Sequence, residues 1–128
     1  MSPTIEVWLA RNRASWLKGN VRGANLSHAN LAQANLTNAD LTGSYLAYAN
    51  LSNADLSGAD LSGADLVGAW LVGAWLIGAN LSNVDLSGAN LLAAKMANVN
   101  LTAANLSGAI LTGADLTGAT MPDGTIRN

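Results

Sequence analysis

The residues best equipped for chemistry are six carboxylates, Asp40, Asp55, Asp60, Asp65, Asp85 and Asp115, separated by multiples of five. Carboxylates brought together in pairs can share a proton in acid–base catalysis or chelate calcium. Each of the six follows Ala or Val and precedes Leu, and Asn fills the same place in eight other units. Charge is therefore not what this place requires; a hydrogen-bonding or solubilising role suits both residues. No nucleophile, base partner or further ligand is grouped around the carboxylates. The single histidine, His28, has no companion and reads as a surface residue, and the chain contains no cysteine. A disulfide or thiolate metal site is thereby excluded. The sequence points to no catalytic residue, no cofactor and no metal, and hence to a protein that is not an enzyme.

The carboxylates belong to a larger pattern. From Ala24 to Met121 the unit A-(N/D)-L-x-x occurs twenty times without insertion or deletion. Leu fills the third place in eighteen units, with Met96 and Met121 in the others; Ala fills the first place in seventeen, with Ser44, Val84 and Val99 as exceptions. A fixed short period marks a repeat array in which each unit stacks on its neighbours. A period of five matches neither a helix nor a simple strand. Ala24 and Leu26, two apart, can point to one side of a short extended segment, and the next three residues must turn the chain so that Ala29 and Leu31 do the same. The fifth place is Gly or Asn in fourteen units, the residues that best accept the positive φ of tight turns.

Tandem A-(D/N)-L-x-x resembles the repeat of the pentapeptide repeat family, over roughly three-quarters of the chain. The resemblance implies an all-β solenoid: a right-handed quadrilateral β-helix of about five coils, with four units per coil. Its inward centre would be Leu26, Leu31, Leu36 and Leu41 in the first full coil, and so on to Met121. The period of five comes from the residues; the grouping into fours comes from the family.

The ends differ in kind. Residues 1–18 begin with Ser2 and Pro3, a plausible N-cap and first helical position, and Ile5, Trp8, Leu9 and Trp16 recur at roughly helical spacing. We read this segment as an amphipathic capping helix over the first coil; the alternative is a membrane-surface helix carrying Arg11, Arg13, Lys18 and Arg22. Residues 19–121 form the repeat domain, with Val21 in the inward place of a degenerate opening unit. Met121-Pro122-Asp123-Gly124 stops the array, since Pro cannot donate to a ladder and Asp-Gly favours a turn, which makes 122–128 a C-terminal tail, loose from Thr125 to Asn128.

An apolar stretch, 67–79, keeps the five-residue phase, yet Trp70 and Trp75 replace the usual Asn or Asp, and Val72 and Ile77 take a normally polar place. With family geometry, Trp70, Val72, Leu92 and Ile110 share one side and Trp75 and Ile77 lie on the next. Contiguous exposed apolar surface often marks an interface, so these six residues are the expected interface, for self-association or an unknown protein partner. Family members that bind DNA gyrase mimic DNA with an acidic rod. Here residues 23–128 carry seven Asp against Lys95 and Arg127, a net charge of −5, and the first 22 carry +3. That is a weak field for the purpose, so gyrase inhibition or protection is the alternative reading and a non-catalytic interaction scaffold the main one. The basic residues cluster only near the presumed cap, which argues against nucleic-acid binding. Thr residues do not form the regular array that ice binding requires. Glu6 and Arg11 interrupt the only early apolar run, so no secretory signal or membrane insertion is expected and the location reads as cytoplasmic.

Overall fold

The computed structural model describes residues 22–128. Five backbone N–H groups must find acceptors in every pentad, and Asp60–Ala64 shows how all of them do. Asp60 N–H donates to Ala39 O of the preceding coil at 2.9 Å. Leu61 and Gly63 donate forward, to Asn80 O at 2.8 Å and Ser82 O at 2.9 Å. Ala64 closes a turn on Leu61 O at 2.9 Å. The remaining N–H, that of Ser62, donates to the Asp60 side-chain Oδ1 at 3.0 Å. Sequence period and hydrogen-bond period therefore coincide.

Bonds between coils set the register at twenty residues. Parallel bridges run Asn30–Asn50–Trp70–Asn90–Ile110 on one side and Asn35–Asp55–Trp75–Lys95–Asp115 on the next. Two further ladders, Asn25–Tyr45–Asp65–Asp85–Asn105 and Asp40–Asp60–Asn80–Asn100–Thr120, complete the four sides. Each coil contributes one paired residue per side, so among the described residues the ladders consist of isolated bridges rather than continuous strands. The turn after every third residue leaves no room for more.

The first and third residues of each pentad fill the interior. Leu31 to Leu101 and their partner Ala or Val residues are buried, with Met96 in line. Leu106, Ala109, Leu111, Ala114 and Met121 are only partly buried against this core. The expected full burial of the inward column thus fails at Leu106, Leu111 and Met121, because no described coil covers the last one. Ser44 replaces an inward Ala, and its buried hydroxyl has no hydrogen-bond partner among the described residues.

The fifth residue of the pentad takes the left-handed turn conformation. Gly68 has φ +63°, and the same region holds Tyr48 at 59° and Ala93 at 57°. The expected capping helix over 1–18 and the opening Val21 lie outside the described residues. The other end corrects the expectation of a loose tail. After Asp123, the chain reverses so that Ile126 pairs antiparallel with Thr120, and Arg127 N–H donates to Ala119 O at 2.8 Å. The Pro and Asp-Gly stop signals were right, but the turn they make delivers the final residues back onto the rod.

Candidate interaction surface

The second residue of the pentad stands on the surface and does a structural task. Asn and Asp there accept the N–H of the residue two further on, as Asn50 does from Ser52 at 3.0 Å and Asp85 from Ser87 at 3.0 Å. This explains why Asn and Asp interchange. Where the fourth residue is Ser or Thr, its hydroxyl can donate to the same oxygen: Thr42 to Asp40 at 2.7 Å and Thr117 to Asp115 at 2.7 Å. Such bonds to the ionised form hold four carboxyls below the usual Asp value. The donor is Thr42, then Arg22, for Asp40; Ser87 for Asp85; Thr117 for Asp115; and Thr125 for Asp123.

The twenty-residue register does stack carboxylates: Asp40 bridges to Asp60 and Asp65 to Asp85. It does not build a chemical site. Each carboxylate is turned onto its own chain, and Asp40 also accepts from Arg22 Nε at 2.6 Å. No cluster of three or more His, Asp or Glu among the described residues could hold a metal ion.

Trp70 and Trp75 give up this capping task, having no oxygen to offer Val72 and Ile77. Trp70 is 54% exposed and Ile110 46%, in one ladder with Asn90 between them. Val72 and Leu92 are backbone neighbours in adjacent coils, since Gly73 N–H donates to Leu92 O at 2.9 Å. Leu92, Trp75 and Ile77 are also exposed, while Val72 is half-buried. Twenty-residue register thus brings Trp70, Val72, Leu92 and Ile110 to one side and puts Trp75 and Ile77 on the next. Trp75 is already engaged: Lys95, one coil on, sets its Nζ 4.4 Å from the ring centroid. That cation–π contact covers part of the ring and leaves Trp70 as the freer aromatic.

Two exposed aromatics escaped the reading of the sequence. Tyr45 stands in the second place of a pentad and Tyr48 in the fifth. Tyr48 stacks on His28 with centroids 5.3 Å apart and planes 15° from parallel. His28, Tyr48 and Trp70 flank an open groove of about 450 Å³ that includes Asn30, Asn50 and Ser52. The signal was present in the spacing, because 28 and 48, like 30, 50 and 70, differ by twenty. Tyr45 shares with Trp70 and Trp75 the place of a replaced Asn or Asp, whereas Tyr48 stands in a place that otherwise marks the turns. No helix among the described residues is long and apolar enough to cross a membrane.

The model for Pentapeptide repeats (8 copies) matches residues 20–58, 39–76, 64–102 and 85–123. Among solved structures, HetL from the cyanobacterium Nostoc sp. strain PCC 7120, a pentapeptide repeat protein involved in heterocyst differentiation regulation, is 30% identical. That match covers 82% of this chain and 71% of HetL, with a TM-score of 0.41. A pentapeptide repeat protein of the Arabidopsis thaliana thylakoid lumen is 28% identical over 85% of this chain and 69% of its own, with a TM-score of 0.50. A third, from the cyanobacterium Cyanothece 51142, is 29% identical over 99% of this chain and 100% of its own, with a TM-score of 0.47. No curated protein matches the chain. The family match and the likeness to the thylakoid-lumen structure make the solenoid a right-handed β-helix.

Proposed function

This chain belongs to the pentapeptide repeat family, and we propose that it is a non-catalytic scaffold for protein interaction, docking a partner or a second copy through the belt at Trp70. In this reading residues 19–121 are the rod, about five coils at four pentads each, residues 1–18 cap it and 122–128 close its far end. The observation that carries the proposal is Trp70, 54% exposed beside Val72 and Leu92 on a surface whose repeat otherwise calls for Asn or Asp. A large aromatic at the centre of an apolar patch tends to supply most of an interface's binding energy. The carboxylates serve the turns, so nothing organised for catalysis among the described residues competes with this reading. Nor does the charge favour imitation of DNA: the ladder through Trp70 and Ile110 carries no Asp and the others dilute theirs with Asn, Tyr, Trp, Lys and Thr, whereas phosphate mimicry needs continuous negative charge.

Trp70→Asn restores the usual repeat residue and supplies the oxygen that Val72 N–H lacks, so the fold is retained. Light scattering at matched concentrations is expected to show self-association by the parent that the variant loses, or affinity capture to show a partner retained by the parent and released by the variant. A parent that stays monomeric, with every captured partner held equally by Trp70→Asn, would leave the belt without a role.

A further inference from the structure

We infer that the groove between the His28–Tyr48 stack and Trp70 binds a neutral carbohydrate. Its wall is built at a conformational cost. Tyr48 has φ 59° and His28 62°, values that Gly or Asn adopts more readily. The Tyr48 ring lies over Gly68, where an added Cβ would fall 2.4 Å from its Cε1. The absence of a side chain at Gly68 therefore lets the ring settle onto the coil that carries Trp70.

Beside these rings lie polar groups with capacity to spare. Asn30 and Asn50 spend their Oδ1 atoms on the N–H groups of Ala32 and Ser52, at 3.2 and 3.0 Å. That leaves each side-chain NH₂ as a donor with no partner among the described residues. Ser52 differs from Ser62, Ser82 and Ser87, whose hydroxyls donate to their own Asp or Asn at 2.7, 2.8 and 2.7 Å. Its hydroxyl makes no such bond and can both donate and accept.

The chemistry of these groups selects the ligand. Among the described residues no carboxylate lines the groove to neutralise a cation, and no Lys or Arg lines it to meet a phosphate. Outward amide donors further disfavour a cation. A pyranose has what remains: an apolar C–H face to lie on Trp70 against the Tyr48 wall, and a rim of hydroxyls for Asn30, Asn50 and Ser52. The groove volume, about 450 Å³, is within the usual range for small-ligand sites. An open groove accepts part of a longer chain as readily as a single ring.

The test is calorimetric titration of the intact protein with tetrasaccharides of β-linked glucose, β-linked N-acetylglucosamine, β-linked xylose and α-linked glucose, with adenosine as a flat aromatic control. At least one tetrasaccharide is expected to bind one-to-one, with adenosine silent. Tyr48→Gly and Trp70→Asn each install a residue the repeat uses elsewhere, so both fold, and each is expected to weaken binding about fivefold. Leu92→Ser lies on the belt outside the groove, so it is expected to leave sugar binding unchanged while weakening association through the belt. That separates the two readings. Failure of all four sugars at low-millimolar concentration, equal binding by parent and both aromatic variants, or binding of adenosine instead would each overturn the inference.

Discussion

At the scale of single residues, the fifth place of the pentad decides how cheaply the chain turns. Ala93 and Ala103 hold φ of 57° and 59° there, a conformation that costs an L-residue about 1–2 kcal/mol. Gly pays part of this back in backbone entropy. Ala93→Gly and Ala103→Gly are accordingly expected to stabilise the protein by about 0.5–1 kcal/mol each, measured by urea unfolding. Gly68→Ala runs the other way, because it meets the same strain and must also displace the Tyr48 ring. Unchanged or lower stability in both Ala→Gly variants would mean that these turns are not left-handed. The second place obeys an equally local rule: an oxygen two residues before an exposed N–H satisfies it.

At the scale of the pentad and the coil, inward and outward places alternate within one residue of each other. Leu56 is 1% exposed, while its neighbour Ser57 is half-buried. Leu56→Lys would place a charge among Leu and Ala with no partner, costing several kcal/mol, on the order of 3 or more, or forcing the coil open. Ser57→Lys is expected to stay within about 0.5 kcal/mol, since its long stem can lie along the surface with the ammonium in water. Thermal melts of both proteins distinguish the places; equal losses would show the alternation to be wrong. A broken coil also removes hydrogen bonds from those above and below, so damage at Leu56 spreads along the rod.

At the scale of the whole molecule, the carboxylates held below their usual value lie on three of the four sides and in the closing turn, so their effect on stability adds. Asp40, Asp85, Asp115 and Asp123 all shift downward from 3.8. A carboxyl with a depressed folded-state pKa adds stability that is fully present above the unfolded pKa and is lost as pH falls through the folded one. Stability is therefore expected to be flat with respect to these groups near neutrality and to fall below pH 3.8. Asp85→Asn with Asp115→Asn keeps both Oδ1 acceptors but removes two titrations, so its melting temperature is expected to decline less over the same acid range. Parallel declines in parent and variant would assign the acid sensitivity elsewhere.

The sequence alone determined whatever recurs within one pentad. Leu and Ala two apart faced inward, Gly and Asn marked the turns, and Asn and Asp stood outside, because each choice is settled by backbone reach and side-chain size over five residues. The match of this repeat to its family carried the four-sided solenoid. The period itself could not, since any number of pentads per coil keeps Leu inside. That number is set by hydrogen bonds between residues nineteen to twenty-one apart, which only the tertiary structure forms. Given the family's register, Val72 could be placed beside Leu92 and Asp40 over Asp60 in advance. Side-chain direction could not be placed so. Lys95 over Trp75, His28 on Tyr48 and the lean of Tyr48 across Gly68 depend on where long side chains settle once the coils have stacked. The last residues followed the same logic: Pro122 and Gly124 announced a turn, but the bond from Arg127 N–H to Ala119 O needed a finished coil to fold back upon.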